Sequence, residues 1–170
     1  HTSAGRVPTD AGYRLYVDEL ADWDRATVIA SKKIHELRKS HLAGIVKQKV
    51  HGAVKLLSEA TPNMAFATIP ENNRTFFMGF SKILLQPEFA MEPVRASQVM
   101  EVIEDDHAFL KGLATLDIGN EVKIFIGQEN ILPTIESCSL IVTSYQYEGY
   151  KGYIGILGPK RMPYAYNNAV

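Results

Sequence analysis

Near its C-terminus the chain carries two long, mainly apolar segments, Ser139 to Tyr147 and Tyr150 to Leu157, with only Glu148 and Gly149 between them. Strand-like runs that close together predict an antiparallel hairpin with a tight turn at Gly149. A bare hairpin is marginal in water, so this one needs further strands and a helical cover. A third strand, Glu121 to Ile126, precedes it. A second hairpin is predicted from Met64 to Ile69 and Arg74 to Phe80 around the polar turn Pro70-Glu71-Asn72-Asn73.

Helical patterns fill the gaps. A short helix over Ser81 to Leu85 is stopped by Pro87. Glu92 to Ile103 places Val94, Val99, Val102 and Ile103 at apolar positions, and Asp105 or Asp106 caps a helix running through Leu116. Pro159 is positioned to start a final short helix. A strand pair, then helices, then an antiparallel group of strands predicts an α+β layer with helices on one face of a sheet.

The N-terminal third is helical after an irregular lead. Thr9 reads as an N-cap with Asp10 in the first turn, where a carboxylate suits the helix dipole. Tyr13, Tyr16, Val17 and Leu20 then form one apolar stripe, predicting a short docked helix. Asp22 or Asp24 caps a second helix, predicted to run from Arg25 to Ala60 and end at Pro62. It aligns Leu42, Ile45, Val46, Val50, Ala53, Leu56 and Leu57 on one side, with Lys47, Gln48, His51 and Lys55 opposite.

At 170 residues and 18.9 kDa, the chain can bury about 70% of its unfolded surface, enough for a core without metal or disulfides. Its longest stretches without a charge, Ala60 to Pro70 and Ser137 to Tyr147, are eleven residues, against the roughly 20 a membrane helix needs. Cys138 is the only cysteine, and no leader pattern opens the chain, so a reducing, cytoplasmic setting is expected.

The net charge of -1 conceals an asymmetry. Residues 1–60 hold ten Lys/Arg and seven Asp/Glu, whereas residues 61–170 hold eight and twelve. From Arg25 to Lys55 the basic residues Arg25, Lys32, Lys33, Arg38, Lys39, Lys47, Lys49 and Lys55 face a single acid, Glu36. Such a run attracts a polyanion through counterion release, although a solvated helix face has the same composition.

Catalytic and metal readings are weak. Cys138 heads an apolar strand, where a free thiol is usually a small core residue. His35, His41 and His51 lack the four-residue spacing of helical zinc ligands, so no metal site is expected. Glu104, Asp105, Asp106 and His107 are better explained by helix capping than by catalysis. Gly149, Gly152, Gly155 and Gly158 match no phosphate-binding fingerprint and read as a turn and close strand packing. Tyr145, Tyr147, Tyr150, Tyr153, Tyr164 and Tyr166 read as cross-strand packing or an interface. No enzyme is expected, and no cofactor.

Several motifs go further. His1-Thr2-Ser3-Ala4-Gly5-Arg6, Pro8-Thr9, Gly12-Tyr13-Arg14 and Tyr16-Val17 resemble the segment at the wing of the heat-inducible transcription repressor HrcA family. Gln86-Pro87-Glu88-Phe89, Ile126-Gly127 with Glu129-Asn130, Cys138-Ser139-Leu140-Ile141, and Gly155 with Gly158-Pro159, Arg161-Met162 and Tyr164 follow in the family's order. The resemblance implies a partial winged-helix wing with its following helix over residues 1–24, a basic linker helix over 25–60 and a GAF-like domain over 61–170. It implies a negative regulator of heat-shock (chaperone) genes, binding a double-stranded inverted-repeat operator as a homodimer and partnered by the chaperonin GroEL. His1, Thr2, Ser3, Arg6, Arg14, Lys32 and Lys33 are then the DNA-binding residues, Arg6 foremost because a guanidinium serves a phosphate or the minor groove.

The resemblance places the base-reading helix upstream of His1. It also implies a longer middle with a dimerisation insert where this chain has one hairpin. A competing reading is a small-molecule sensor or protein-interaction module: a closed cavity packed with Phe76, Phe77, Phe125 and Tyr153 argues against a sensor, and an open polar cavity argues for one. A third, least favoured, is an enzyme using Cys138.

Overall fold

The computed structural model describes residues 6–38, 46–69, 74–147 and 149–170. At its centre is a five-stranded antiparallel sheet in the order β2-β1-β5-β4-β3, built from β1 (Met64–Ile69), β2 (Arg74–Met78), β3 (Lys123–Ile126), β4 (Cys138–Tyr147) and β5 (Tyr150–Pro159). β4 and β5 pair along ten positions, from Cys138 opposite Pro159 to Tyr147 opposite Tyr150. Gly149 supplies the positive φ (86°) that the connection requires. β1 pairs with β2 from Ala65 opposite Met78 to Ile69 opposite Arg74, and its other edge pairs with β5. The predicted turn at 70–73 lies outside the described residues.

The α+β class stands, but the helices cover both faces of the sheet rather than one. The reason is visible in β1 itself: Met64 and Phe66 point to one core, Ala65 and Ala67 to the other, so neither face is polar. On the first face Met64, Phe66, Leu140 and Leu157 pack with side chains from α4 (Phe80–Leu84), α5 (Pro87–Ala90), α6 (Pro93–Glu104) and α7 (Asp106–Thr115). Phe66 and Phe109 meet edge to face at 5.1 Å between ring centroids, an arrangement favoured by the aromatic quadrupole. On the second face Ala65, Ile141 and Ile156 pack with Val17, Val54 and Tyr164.

That second face is covered by α1 (Asp10–Leu15), a π-helical turn (Tyr16–Leu20), α3 (Val46–Ala60) and α8 (Tyr164–Ala169), with α2 (Trp23–Arg38) packed on α3 and α8. The caps fall where the sequence indicates. Thr9 Oγ1 accepts from the Gly12 amide at 3.2 Å, Asp22 from Arg25 at 3.0 Å, and Asp105 from Ala108 at 2.9 Å.

Five local expectations are corrected. The predicted helix Arg25 to Ala60 is not continuous: α2 touches α3, which an uninterrupted rod cannot allow because its nearest ends would stand about 12 Å apart along the axis. The residues between, 39–45, lie outside the described set. Second, the stripe of Tyr13, Tyr16, Val17 and Leu20 is only partly docked. The π turn shifts the angular register, burying Val17 while Leu20 stays 69% exposed. Third, Pro87 begins α5 at its first turn rather than merely stopping α4. Fourth, Val94 is exposed, because α6 turns Val99 and Val102 inward instead. Finally, Pro159 ends β5, and the last helix starts only after Pro163.

Candidate nucleic-acid interface

Arg6 to Thr9 form an irregular, exposed lead into α1. α1 itself is fastened to the sheet by the half-buried Tyr13, packed on Tyr164, and by charge. Arg14 donates to both carboxylate oxygens of Glu129, through Nε at 3.1 Å and through Nη2, and Nη2 also reaches the Ile124 carbonyl at 2.6 Å. Asp18 adds a contact to Nη1 at 3.4 Å. The Glu129 hydrogen bond pushes the Arg14 guanidinium above its already high ordinary pKa. One turn earlier, Asp10 pairs with Lys160 and accepts the Gln128 amide at 3.1 Å. Gly127 (φ 58°) makes room, since a Cβ there would run into the Asp10 carboxylate.

α2 follows with a small-residue inner edge, Ala26 and Ala30, against its neighbours. Its outer face carries Arg25, Lys32 and Lys33, all exposed. Among the described residues these three side chains form no ion pair. Val28 and Ile29 are interspersed with them and also exposed. The arrangement supplies three exposed cations, Lys32 and Lys33 adjacent and Arg25 about two turns before them, suited to phosphates rather than to base edges.

Of the predicted DNA-binding residues, Arg6, Lys32 and Lys33 are exposed, whereas Arg14 is engaged with Glu129 and Asp18. His1, Thr2 and Ser3 lie outside the described residues. Asp10, Glu129 and Lys160 were not singled out as site residues. Their partners are more than 100 positions away, so no local spacing reveals them.

The other constellations resolve structurally. Cys138 is fully buried, its thiol pushed up to about 12 by burial, with Ser137 Oγ at 3.8 Å. That environment disfavours the thiolate a nucleophile needs. Asp105 caps α7, and Asp106 accepts the Thr75 amide at 3.2 Å. Among the described residues no cluster of three or more His, Cys, Asp or Glu could hold a metal, and no helix is long and apolar enough to cross a membrane. Gly152, Gly155 and Gly158 lie within β5, where a Cβ would meet Thr68, Ile141 and Asn63 respectively, so they serve close packing.

Phe76, Phe77, Phe125 and Tyr153 do not together pack one closed cavity. Phe77, Phe125 and Tyr153 belong to one face of the sheet and Phe76 to the other. A different cavity, about 410 Å³, opens between α2, α3, α8 and the sheet, lined by Leu56, Leu57, Ile141, Ile154, Ile156 and Arg38 among others.

A family model described as HrcA protein C terminal domain matches residues 26–166. The heat-inducible transcription repressor HrcA of Thermodesulfovibrio yellowstonii is 32% identical over 135 residues, covering 78% of this chain and 38% of that protein. Its namesake from Brevibacillus brevis is 39% identical over 95 residues, covering 55% and 27%. The chain therefore spans well under half the length of these relatives. A solved structure, described as the crystal structure of a hypothetical protein at 2.2 Å resolution, matches with a TM-score of 0.67 at 14% identity, covering 98% of this chain and 76% of that one. That likeness concerns the fold, which is α+β and GAF-like. With the family model matching all but the first 25 and last four residues, the chain belongs to the HrcA family.

Proposed function

We propose that this chain is the regulatory body and arm of a repressor of heat-shock genes, acting in the cytoplasm on double-stranded DNA. The carrying observation is the exposed basic face of α2, Arg25, Lys32 and Lys33, following an exposed Arg6 on a chain whose relatives are named heat-inducible transcription repressors. Cations so placed contact phosphates and set register, while base recognition falls to another element. His1, Thr2, Ser3 and Arg6 contact DNA at the wing, Lys32 and Lys33 add backbone contacts, and Arg14 positions the arm. The operator is an inverted repeat read by a homodimer, whose two-fold symmetry it mirrors. A partnership with the chaperonin GroEL belongs to the same reading, as does the division into residues 1–24, 25–60 and 61–170. The role is regulatory and involves no catalytic step.

The test is a gel-shift titration of the protein joined to its native upstream sequence, on an inverted-repeat operator and on a scrambled duplex. Tighter binding to the operator supports the reading; equal affinity for both refutes it.

A second reading, a small-molecule sensor, is favoured by the 410 Å³ cavity, a size typical of ligand sites. Replacing Ile154 with Trp would fill that cavity. Unchanged operator binding and unchanged thermal stability in cell extract against buffer would argue against a ligand there.

A further inference from the structure

The N-terminal arm meets the body through a small apolar contact. Across α1 and the π turn only Val17 is buried and Tyr13 is half-buried, its ring 6.3 Å from that of Tyr164, while Leu15, Tyr16 and Leu20 are 57%, 41% and 69% exposed. The polar contacts are denser. Asp10 and Arg14, four residues apart, lie on one side of α1 and meet Lys160 and Glu129 in complementary order. The four side chains keep between 26% and 39% of their exposure, so the pairs are neither buried in the core nor free in solvent. Pairs in that range respond to ionic strength.

The receiving surface has its own ties. Glu129 accepts the Ile126 amide at 2.9 Å as well as the Arg14 guanidinium, and Gly127 leaves the space that the Asp10 carboxylate occupies. The same turn is tied to the body through Asn130. Its Nδ2 donates to the carbonyls of Gly127 (2.9 Å), Ile135 (3.3 Å) and Cys138 (2.8 Å). Ile135 and Cys138 belong to the core on the opposite face of the sheet from α1. Asn130 thus joins that core to the turn on which the arm rests.

We propose that Asp10–Lys160 and Arg14–Glu129 form a releasable charge clasp, and that the 127–129 turn passes changes in the body to the N-terminal arm. Asp10, Arg14, Glu129 and Lys160 are positioning residues, which touch no DNA themselves. The clasp stands on the geometry above; only its consequence for DNA rests on the repressor reading.

The test uses the full chain with two readouts that need no DNA: hydrogen exchange of the Gln128 amide, which donates directly to Asp10, and anisotropy of a fluorophore on Val7→Cys. Val7 is 82% exposed and Cys138 is buried, so labelling is selective. In Lys160→Gln with Glu129→Gln the Gln128 amide is expected to exchange about tenfold faster and the label to move more freely. Raising salt from about 50 to 500 mM is expected to loosen the parent chain and leave the double variant unaffected. Retained protection of Leu140 and Ile141 shows that the body is folded, and Lys160→Gln alone is a milder variant should the double one lose it. Gln128 protection and label mobility that ignore both salt and substitution overturn the clasp. Operator affinity is the third readout. A freed arm with parental affinity overturns transmission to DNA, whereas a parent chain binding no operator overturns the repressor reading and leaves the clasp to be judged on exchange and anisotropy.

Discussion

The Ser139 hydroxyl and the Tyr164 phenol lie 2.7 Å apart in a covered site, joining β4 to the last helix. The phenol donates onward to the Lys160 carbonyl, so the serine donates to the phenol. Tyr164→Phe removes both bonds and leaves the buried Ser139 hydroxyl without this partner, for an expected loss of about 1–3 kcal/mol. Urea unfolding measures it. Ser139→Ala added to Tyr164→Phe should cost less than the sum of the separate changes, because the hydroxyl is no longer orphaned. Strict additivity would mean the two groups are not coupled.

Two glycines make a contrasting pair. Gly155→Ala drives a Cβ into the Ile141 carbonyl and to 3.0 Å from the Phe66 ring, and the paired backbone cannot retreat. A loss above about 2 kcal/mol, or failure to fold, is expected. Gly52, within α3, has nothing within 4 Å of its would-be Cβ. Gly52→Ala should raise stability by about 0.4–1 kcal/mol, read as a higher melting temperature.

Burial lifts the Cys138 thiol from an ordinary value of 9.0 to about 12 in the folded chain. Below about pH 9 both states hold the proton, and the contribution to stability is complete. Between there and pH 12 only the unfolded chain releases it, so stability falls by up to about 1.4 kcal/mol per pH unit. Tyr164, also raised by burial, adds a similar decline above its ordinary value of 10.0. Cys138→Ala should flatten the stability profile between pH 9 and 11 relative to the parent. Parallel profiles would show that the thiol titrates normally in the fold.

Phosphate contacts leave a signature in salt. If Lys32 and Lys33 each neutralise a phosphate, Lys32→Ala with Lys33→Ala should flatten the plot of log affinity against log salt by about two units, and Arg6→Ala by about one. These losses should be alike on operator and non-operator DNA, since backbone contacts carry no sequence information. A slope unchanged by a substitution removes that residue from the phosphate contacts. Arg14→Ala should leave the slope itself unaltered, because its guanidinium is occupied by Glu129.

All five strands and three of the caps, Thr9, Asp22 and Asp105, were legible because their signals are local: apolar runs bounded by turns, and a short polar side chain before a helix. The packing of α2 on α3 and α8 was not, because it depends on partners as far away in sequence as α8, on which no local spacing bears. Coverage of both sheet faces was written in Met64-Ala65-Phe66-Ala67, where no polar residue interrupts the run. The exposed basic residues were identified from charge and motif, but the engagement of Arg14 depends on Glu129, 115 residues away.

The strand order has a kinetic consequence. β5 lies at the middle of the sheet yet comes last of its five strands in sequence order. During synthesis β1 with β2, and β3 with β4, emerge as two separate half-sheets, each with one ladder edge unpaired until residues 150–159 are available. Joining them closes contacts between distant parts of the chain, which slows folding and prolongs exposure of edges prone to aggregate. A newly made copy is therefore at its most vulnerable until β5 has been made, and that interval lengthens whenever this central strand is slow to seat.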